Sequence, residues 1–253
     1  MKITKELLKE KGACAAGYRD FLKEYPVDKY PDGVEYQELL DCCAEKDFSY
    51  GSWLLGAFGK TDEVRKIDGD LIVEKGIIFA GRLEIEGCIK AGLGIKAGYG
   101  IKAGGDIEAG GDIEAGWGIK AGCRIKTSWG IKAGYGIKAG LGIKGGYGIE
   151  AGYGIKAGGD IEAGRGIEAG RGIKAGCSIK TSWGIKAGYG IEAGCGIEAG
   201  DGIEVGDEFG IYAGLCCRVT DKILRKIIAK ERPENIMCGE FEEKSDSEGK
   251  KNV

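Results

Sequence analysis

Few side chains in this sequence are suited to catalysis, and histidine is absent from all 253 positions. Imidazole is the usual general base near neutral pH and the usual partner of a nucleophilic serine or cysteine. Ten cysteines are present, but no two are spaced as Cys-x-x-Cys, so we predict no zinc site. Lysine and glutamate are abundant but unaccompanied by such partners. We therefore expect a non-enzymatic protein without catalytic residues, cofactor or metal.

Cysteine usage and net charge bear on location and partners. Cys42-Cys43 and Cys216-Cys217 are adjacent pairs, and the other cysteines are scattered. The first residues do not begin a secretory signal, and no apolar run approaches the ~20 residues of a membrane span. Thiols in a chain without a signal predict a cytoplasmic protein with no membrane span. Since the net charge is −3, any contact with a polyanion must be local.

The lysines and glutamates belong to a six-residue repeat that determines the fold. Isoleucine recurs at every sixth position from Ile89 to Ile203, and the unit reads Ile-Lys/Glu-Ala-Gly-x-Gly. An uninterrupted period of this length predicts a stacked β-solenoid. Because side chains alternate along a strand, Ile and Ala should point inward and Lys or Glu outward. The Gly-x-Gly segment should form each corner, with x facing out.

Three repeat units complete one coil. The residues other than glycine at the last repeat position are Asp106, Asp112, Arg124, Asp160 and Ser178, and all of them except Asp112 are separated by multiples of 18. Aromatic residues at position x occupy only two of three columns on the same 18-residue grid. We therefore predict a mainly β, three-sided, single-stranded β-solenoid with 18 residues per coil. About eight coils and right-handed winding are favoured.

Helical segments should flank this solenoid. The pattern of apolar residues in 1–64 predicts a helical cap of four short helices. The first of them begins after Thr4 and ends near Gly12. The solenoid is assigned to 65–219, with Phe209 and Leu215 as its last residues in the isoleucine frame. Residues 220–232 predict an amphipathic C-terminal capping helix, with membrane-surface binding as the alternative. Residues 233–253 predict a flexible charged tail.

Part of the chain resembles bactofilins, a polymer-forming cytoskeletal family. The resemblance rests on Gly-Gly-Asp-Ile-Glu-Ala-Gly within 101–117 and on Ile-Asp-Gly-Asp-Leu at 67–71. It implies a right-handed three-sided β-helix that polymerises end to end. The flanking segments and the aromatic residues depart from that family. The N-terminal helical segment, with Ile-Thr-Lys-Glu-Leu-Leu at 3–8 and Trp-Leu-Leu at 53–55, is similar to the lead-in of uncharacterised phage and bacterial repeat proteins.

The 18-residue grid predicts a patterned surface. Rings and arginines should stack at two corners, and lysines should form a row on one side. The aromatic and arginine candidates for partner binding are Tyr99, Trp117, Trp129, Tyr135, Tyr147, Tyr153, Arg165, Arg171, Trp183 and Tyr189. The lysine candidates are Lys102, Lys120, Lys138, Lys156 and Lys174. Asp106, Asp160 or an anionic partner could offset the repulsion within the row.

Two functions fit this surface. The first is a non-enzymatic scaffold that assembles with itself, as the bactofilin resemblance implies. The second is a binding module, phage or mobile-element encoded, that presents the rings, arginines and lysines to a protein, glycan or polyanion. Rings that shield glycine-rich corners, and lysines duplicated with the repeat, are the structural alternatives to binding.

Overall fold

The structure, a computed structural model, describes residues 1–217 and 221–244. Four helices precede the solenoid: α1 (Lys5–Glu10), α2 (Ala15–Glu24), α3 (Tyr36–Lys46) and α4 (Phe48–Phe58). Thr4 caps α1, because its side chain accepts a hydrogen bond from the backbone N–H of Leu7. A short antiparallel pair, β1 (Lys2–Ile3) and β2 (Val34–Glu35), joins the N-terminus to the start of α3.

The solenoid strands are short and follow one another at every corner. They are β3 (Val64–Ile67), β4 (Leu71–Val73), β5 (Ile77–Phe79), β6 (Arg82–Ile85), β7 (Ile89–Ala91), β8 (Ile95–Ala97), β9 (Ile101–Ala103), β10 (Ile107–Ala109), β11 (Ile113–Ala115), β12 (Ile119–Ala121), β13 (Ile125–Thr127), β14 (Ile131–Ala133), β15 (Ile137–Ala139), β16 (Ile143–Gly145), β17 (Ile149–Ala151), β18 (Ile155–Ala157), β19 (Ile161–Ala163), β20 (Ile167–Ala169), β21 (Ile173–Ala175), β22 (Ile179–Thr181), β23 (Ile185–Ala187), β24 (Ile191–Ala193), β25 (Ile197–Glu198), β26 (Ile203–Val205), β27 (Ile211–Tyr212), β28 (Lys226–Ala229), β29 (Ile236–Cys238) and β30 (Glu240–Glu243).

These strands form three parallel sheets, one on each side of the rod. Within the described residues, sheet 1 runs from β3 to β29 and sheet 2 from β4 to β30, with ten strands each, and sheet 3 runs from β5 to β26 with eight. Each isoleucine pairs with the one 18 residues away, as Ile107 does with Ile125. The predicted three-sided solenoid is therefore confirmed, although it has about ten coils rather than eight.

Aliphatic side chains fill the axis of the rod. Ile137 and Ala139 of β15 are almost fully buried, whereas Lys138 between them is exposed. Each regular coil thus buries three isoleucines and two or three alanines, with Thr127, Gly145 and Thr181 standing in alanine positions. Burying an isoleucine side chain contributes roughly 1.5–3 kcal/mol, and a β-branched residue suits the extended backbone. The alternation of inward and outward positions fixes the register, because a shift by one residue would bury lysine.

Glycine at the fourth repeat position permits the close stacking of corners. A Cβ at Gly140 would lie 1.9 Å from the carbonyl oxygen of Gly122 in the preceding coil. At the sixth position the space is larger, since a Cβ at Gly136 would lie 3.3 Å from the nearest oxygen. In the regular coils the fourth position is glycine except at Ser128 and Ser182, each after a threonine, whereas Asp, Arg and Ser all occur at the roomier sixth position. The repeat glycines are required for this approach, because none has a positive φ.

The N-terminal helices lie against sheet 3 at the first coils. Ile78 points outward from β5 but is buried, packed in one cluster with Leu40 and Leu54. The side-chain amide of Gln37 donates to the carbonyl of Ile78 at 2.8 Å and accepts from the N–H of Ala80 at 3.1 Å. Gln37 therefore occupies the free backbone edge of β5, in the place of a further strand.

The isoleucine frame shifts near the C-terminus, which corrects the assignment of Phe209 and Leu215 as core positions. Ile211 pairs with Ile191, so this coil contains two extra residues. Leu215 is exposed, and Phe209 lies on the outer surface against Tyr189. The expected solenoid end at 219 is also wrong, because later strands continue the stack; Arg218 and Val219 lie outside the described residues.

The predicted capping helix at 220–232 is wrong. Thr220 lies outside the described residues, Lys222–Arg225 forms a single 3-10 turn, and Lys226–Ala229 is strand β28. Ile227 pairs with Ile197, and both Ile227 and Ala229 are fully buried. Pairing with the open edge of β25 therefore outweighs the helical periodicity of this segment. Ile223 and Leu224, which would lie on the apolar face of such an amphipathic helix, are exposed.

Part of the predicted flexible tail is ordered. β29 joins sheet 1 and β30 joins sheet 2, so 236–238 and 240–243 extend the stack. Between β28 and β29 the chain crosses the end of sheet 3, where Lys230 bonds to Asp201 and Asn235 to Asp207. Pro233 is buried in this crossing. Residues 245–253 of the predicted tail lie outside the described residues. No helix in the described ranges is long and apolar enough to cross a membrane.

Candidate functional site

A column of rings runs along the corner between sheets 3 and 1. This first ladder consists of Tyr99, Trp117, Tyr135, Tyr153, Arg171, Tyr189 and Phe209. The Trp117 and Tyr135 ring centroids are 5.1 Å apart, and those of Tyr135 and Tyr153 are 4.6 Å apart with planes within 8°. These spacings match the separation of neighbouring strands, so the parallel coils impose the stacking. Each such pair contributes about 0.5–1.5 kcal/mol beyond buried area.

Two members of this column were missed by sequence reasoning. The Lys60 Nζ lies 4.1 Å from the Tyr99 ring centroid and covers the N-terminal end of the ladder. Phe209 stacks on Tyr189 at 4.4 Å, in the position that the 18-residue grid gives to Asp207. The aromatic character of Phe209 is a signal that could have been used. Nothing in the sequence around Lys60 indicates its contact.

Arginines replace rings within the ladders. The Arg171 guanidinium lies 4.0 Å from the centroid of Tyr153 and 5.8 Å from that of Tyr189. Arg165 lies in the same way between Tyr147 at 4.3 Å and Trp183 at 5.1 Å. A planar cation over a ring face is attracted by the ring quadrupole, so the column continues through these positions.

A second ladder follows the corner between sheets 2 and 3. It consists of Trp129, Tyr147, Arg165 and Trp183, and the Trp129 and Tyr147 rings stack at 5.4 Å. Both tryptophans follow a Thr-Ser pair. The buried hydroxyl oxygen of Thr127 accepts a hydrogen bond from the backbone N–H of Trp129 at 3.1 Å. That of Thr181 accepts one from the backbone N–H of Trp183 at 3.3 Å. These hydroxyls position the tryptophan backbone at the corner.

Inside the ladders, ring faces are covered by a neighbouring ring or guanidinium. Most rings have a ring or guanidinium on at least one face, yet Trp129 and Trp183 each keep 54% of their surface exposed. A base or flat sugar would therefore have to displace a neighbour before it could stack inside the column. The arrangement suits stabilisation of the coils and contact through ring edges.

The lysine row crosses the outer face of sheet 1, next to the first ladder. Lys102, Lys120, Lys138, Lys156 and Lys174 are consecutive partners in the strand register. Lys174 pairs with Glu192. For the other four, the described residues provide no carboxylate within 4.0 Å of Nζ. At ~5 Å in water, two ammonium groups repel by roughly 0.8 kcal/mol.

The other two faces are charge-balanced. On sheet 2, Lys144 lies 2.7 Å from Glu162 and Lys126 lies 3.5 Å from Glu108. On sheet 3, Lys96 lies 2.7 Å from Glu114 and Lys132 lies 2.9 Å from Glu150. The hydrogen bond to Glu150 raises the pKa of Lys132 above its usual value. Sheet 1 therefore differs from its neighbours in charge pattern while sharing their backbone geometry.

Asp106 and Asp160 accept hydrogen bonds from backbone N–H groups of the next coil. The Asp106 carboxylate accepts the backbone N–H of Arg124 at 2.7 Å, and that of Asp160 accepts the N–H of Ser178 at 2.9 Å. Both contacts join one coil to the next at the corner between sheets 1 and 2. Among the described residues neither carboxylate forms an ion pair with a lysine of the row, and an offset of its repulsion by these aspartates or by an anionic partner stays a prediction.

A groove of about 660 Å³ follows the row. Its floor is formed by the glycines that precede the strands of sheet 1, and Trp117 of the first ladder contributes to its wall. The groove extends along sheet 1 from Glu84 to Glu192, both of which line it. Arg82 lies 3.7 Å from Glu84. The lysines without carboxylate partners among the described residues therefore occupy a segment that has a carboxylate, Glu84 or Glu192, at each end.

The third corner, between sheets 1 and 2, carries thiols. All ten cysteines are free, including Cys123, Cys177 and Cys195 at this corner. Burial, followed by a hydrogen bond with Cys217, raises the pKa of Cys195 to about 11. This thiol is therefore protonated at neutral pH and a poor nucleophile.

Neither a search for metal ligands nor comparison with known proteins adds a functional assignment. Within 1–217 and 221–244, no group of three or more His, Cys, Asp or Glu residues is placed to hold a metal ion. No protein-family model, no curated protein and no solved structure matches the chain.

Proposed function

We propose that the chain is a non-enzymatic structural scaffold: a rigid rod that associates end to end with further copies of itself. The bactofilin resemblance implies this mode of assembly and right-handed winding. A cytoplasmic location is part of the same proposal, and ten unpaired thiols are consistent with a reducing compartment.

The open ends of the apolar core carry the proposal. Inward side chains are buried throughout the regular coils, but Leu71 and Val73 at one end and Ile236 and Phe241 at the other are only partly buried. A second copy stacked on either end would cover these side chains in the way that the next coil does elsewhere. At both ends, the outermost strands of sheets 1 and 2 also have one edge that no further strand of the described residues pairs with.

Sheet 3 is closed at both ends, which limits the contact between copies. Gln37 occupies the edge of β5, and the segment from Lys230 to Asn235 crosses the end at β26. Because the helices lie mainly along the outer face of sheet 3, they leave sheets 1 and 2 accessible at the N-terminal end. Assembly would therefore proceed through two of the three sheets.

Two single-end variants test this proposal. Leu71→Lys places a charge on the N-terminal end, and Phe241→Lys places one on the C-terminal end. We expect the wild type to form filaments in negative-stain images, and each variant alone to sediment as a monomer. An equimolar mixture should form a dimer that grows no further, because each variant retains one functional end.

Leu141→Lys is the matched control, since Leu141 is exposed at a corner in the middle of the rod. This variant should assemble like the wild type, and circular dichroism should give the same spectrum for all variants. A wild type that remains monomeric at high concentration, or a mixture that remains monomeric, would refute end-to-end assembly.

A binding module is the second candidate function. The observation that favours it is the set of lysines on sheet 1 that lack carboxylate partners among the described residues. In this function the rod would present ring edges and ammonium groups to another molecule along its side, independently of its ends.

A further inference from the structure

The face of sheet 1 differs from the other two faces in a way that the repeat does not require. All three sheets have the same strand geometry, and Lys or Glu occupies the outward position in every regular strand. Sheets 2 and 3 place glutamates next to lysines, and the ion pairs follow. Sheet 1 instead has five successive lysines, and within the described residues only the last of them, Lys174, pairs with a carboxylate.

This row has a defined length and direction. Lys102, Lys120, Lys138 and Lys156 lie in one line along the rod axis, at the strand spacing of ~4.8 Å. The groove beside them is straight, because its floor consists of glycines in register. An elongated ligand with repeated negative charges could contact all four ammonium groups at once, whereas a compact anion could contact only one or two.

The wall of the groove indicates which elongated anion fits. Trp117 lines the groove and keeps 43% of its surface exposed, and the first ladder presents further ring edges at the same corner. Ring edges carry partial positive charge and apolar surface. A ligand with phosphates on one side and flat apolar groups on the other would satisfy both walls. The occupied ring faces exclude stacking inside the column, so little preference among bases is expected.

We propose that the groove along sheet 1 binds the phosphate backbone of a single-stranded nucleic acid, through Lys102, Lys120, Lys138 and Lys156. The phosphates contact these ammonium groups and the bases contact the ring edges beside them, so binding does not depend on base sequence. It goes beyond the scaffold function and does not require the ends of the rod.

The salt dependence of binding measures the number of lysines involved. For single strands, the logarithm of the association constant falls with the logarithm of salt concentration with a slope of roughly −0.7 per neutralised phosphate. Four lysines therefore predict a slope of about −2.8. The probe is fluorescein-labelled oligothymidylate, followed by fluorescence anisotropy with the full chain carrying Phe241→Lys. This variant prevents end-to-end growth, so failure of assembly and failure of binding are distinguished.

A triple variant with an internal control tests the site. Lys120→Gln, Lys138→Gln and Lys156→Gln together should reduce the slope to about −0.7 and weaken binding roughly 500-fold at 50 mM salt. The control triple, Lys126→Gln, Lys144→Gln and Lys180→Gln, removes the same charge from sheet 2. It should leave the slope and the affinity unchanged, and circular dichroism should show that both triples are folded like the parent.

Competing anions decide the ligand class. Unlabelled oligothymidylate and oligoadenylate should displace the probe equally, and inorganic polyphosphate or polyglutamate of equal charge should displace it at least tenfold less well. Equal displacement by polyphosphate or polyglutamate would overturn the nucleic-acid assignment. Equal weakening by the control triple, or a slope near zero, would overturn the site.

Discussion

The regular coils from Ile89 to Val205 and the last coils, in 206–217 and 221–244, share one architecture but reach it differently. In the regular coils, every strand follows the previous one after six residues, and every coil adds 18 residues. In the last coils, the spacing between stacked partners is 20 residues from Ile191 to Ile211 and 30 from Ile197 to Ile227. The stack therefore accepts Ile-x-Ala segments that are out of the six-residue phase, such as 211–213 and 227–229, and tolerates added residues at the corners.

A buried charge should separate the two regions most strongly. Ile137→Asp places a carboxylate without a partner among isoleucines in the middle of the rod, which should cost more than about 4 kcal/mol and unfold adjacent coils. Ile227→Asp, at the same position of a late coil, should release only the C-terminal strands. Thermal melting followed by circular dichroism and hydrogen exchange by mass spectrometry would measure both.

If Ile137→Asp left the melting curve unchanged, the inward placement of the isoleucines would be contradicted. Equal losses across the rod for both variants would show that the last coils unfold together with the regular ones. The comparison between the two regions would then no longer hold for stability.

Glycine substitutions should have a smaller effect and distinguish the two glycines of one corner. Gly140→Ala forces a Cβ to within 1.9 Å of the Gly122 carbonyl oxygen and should cost about 3 kcal/mol. Gly136→Ala, with 3.3 Å to the nearest oxygen, should cost less than about 1 kcal/mol. Urea unfolding measures both. Similar losses for the two alanine variants would show that conformational freedom, not close approach, explains the repeat glycines.

In the last coils a glycine is required for a different reason. Gly214 has a φ of +79°, in the left-handed region, where it begins the excursion between β27 and β28. The regular coils therefore need glycine for spacing, whereas this irregular connection needs it for backbone conformation.

The smallest expected effect lies where the two regions meet, at Glu198. Burial alone would raise the pKa of this carboxyl, but Lys180 at 2.9 Å and Lys244 at 3.4 Å together lower it below the usual 4.5. Because the pKa of Glu198 is lower in the folded state, its ion pairs stabilise the folded state above pH 4.5. This stabilisation is lost as the pH falls through the folded-state pKa. Glu198→Gln should cost about 0.5–1 kcal/mol at pH 7 and nothing at strongly acidic pH.

Urea unfolding at a series of pH values would measure this difference. Glu204→Gln, which removes a more exposed carboxylate paired with Lys186, is the control and should change stability little. A Glu198→Gln penalty that persisted unchanged at pH 2 would rule out the ion pairs as its cause.

Sequence periodicity predicted the regular coils because one residue type carries the whole signal. Isoleucine at every sixth position determines the strand, the inward face and, with the 18-residue grid, the register. The same grid placed ten candidate rings and arginines in two ladders and five lysines in one row, since outward positions in a parallel stack follow their inward neighbours. Their use in binding stays a prediction.

Sequence reasoning failed where long-range pairing competes with local pattern. Residues 221–229 have helical periodicity, yet Ile227-Ile228-Ala229 also carries the Ile-x-Ala pattern that the edge of β25 accepts. Ile211-Tyr212-Ala213 carries it too, two residues out of phase. Contacts that depend on the packing of the helices, such as Gln37 on β5 and Lys60 on Tyr99, have no local signature.

The nearest-neighbour stacking of coils makes the rod a molecular ruler. Each coil touches only the one before and the one after, so inserting or deleting 18 residues in frame changes the length by one strand spacing, ~4.8 Å, and leaves all other neighbours in place. Duplication of gene segments can therefore adjust the reach of the protein in fixed increments, while the two ends stay the same.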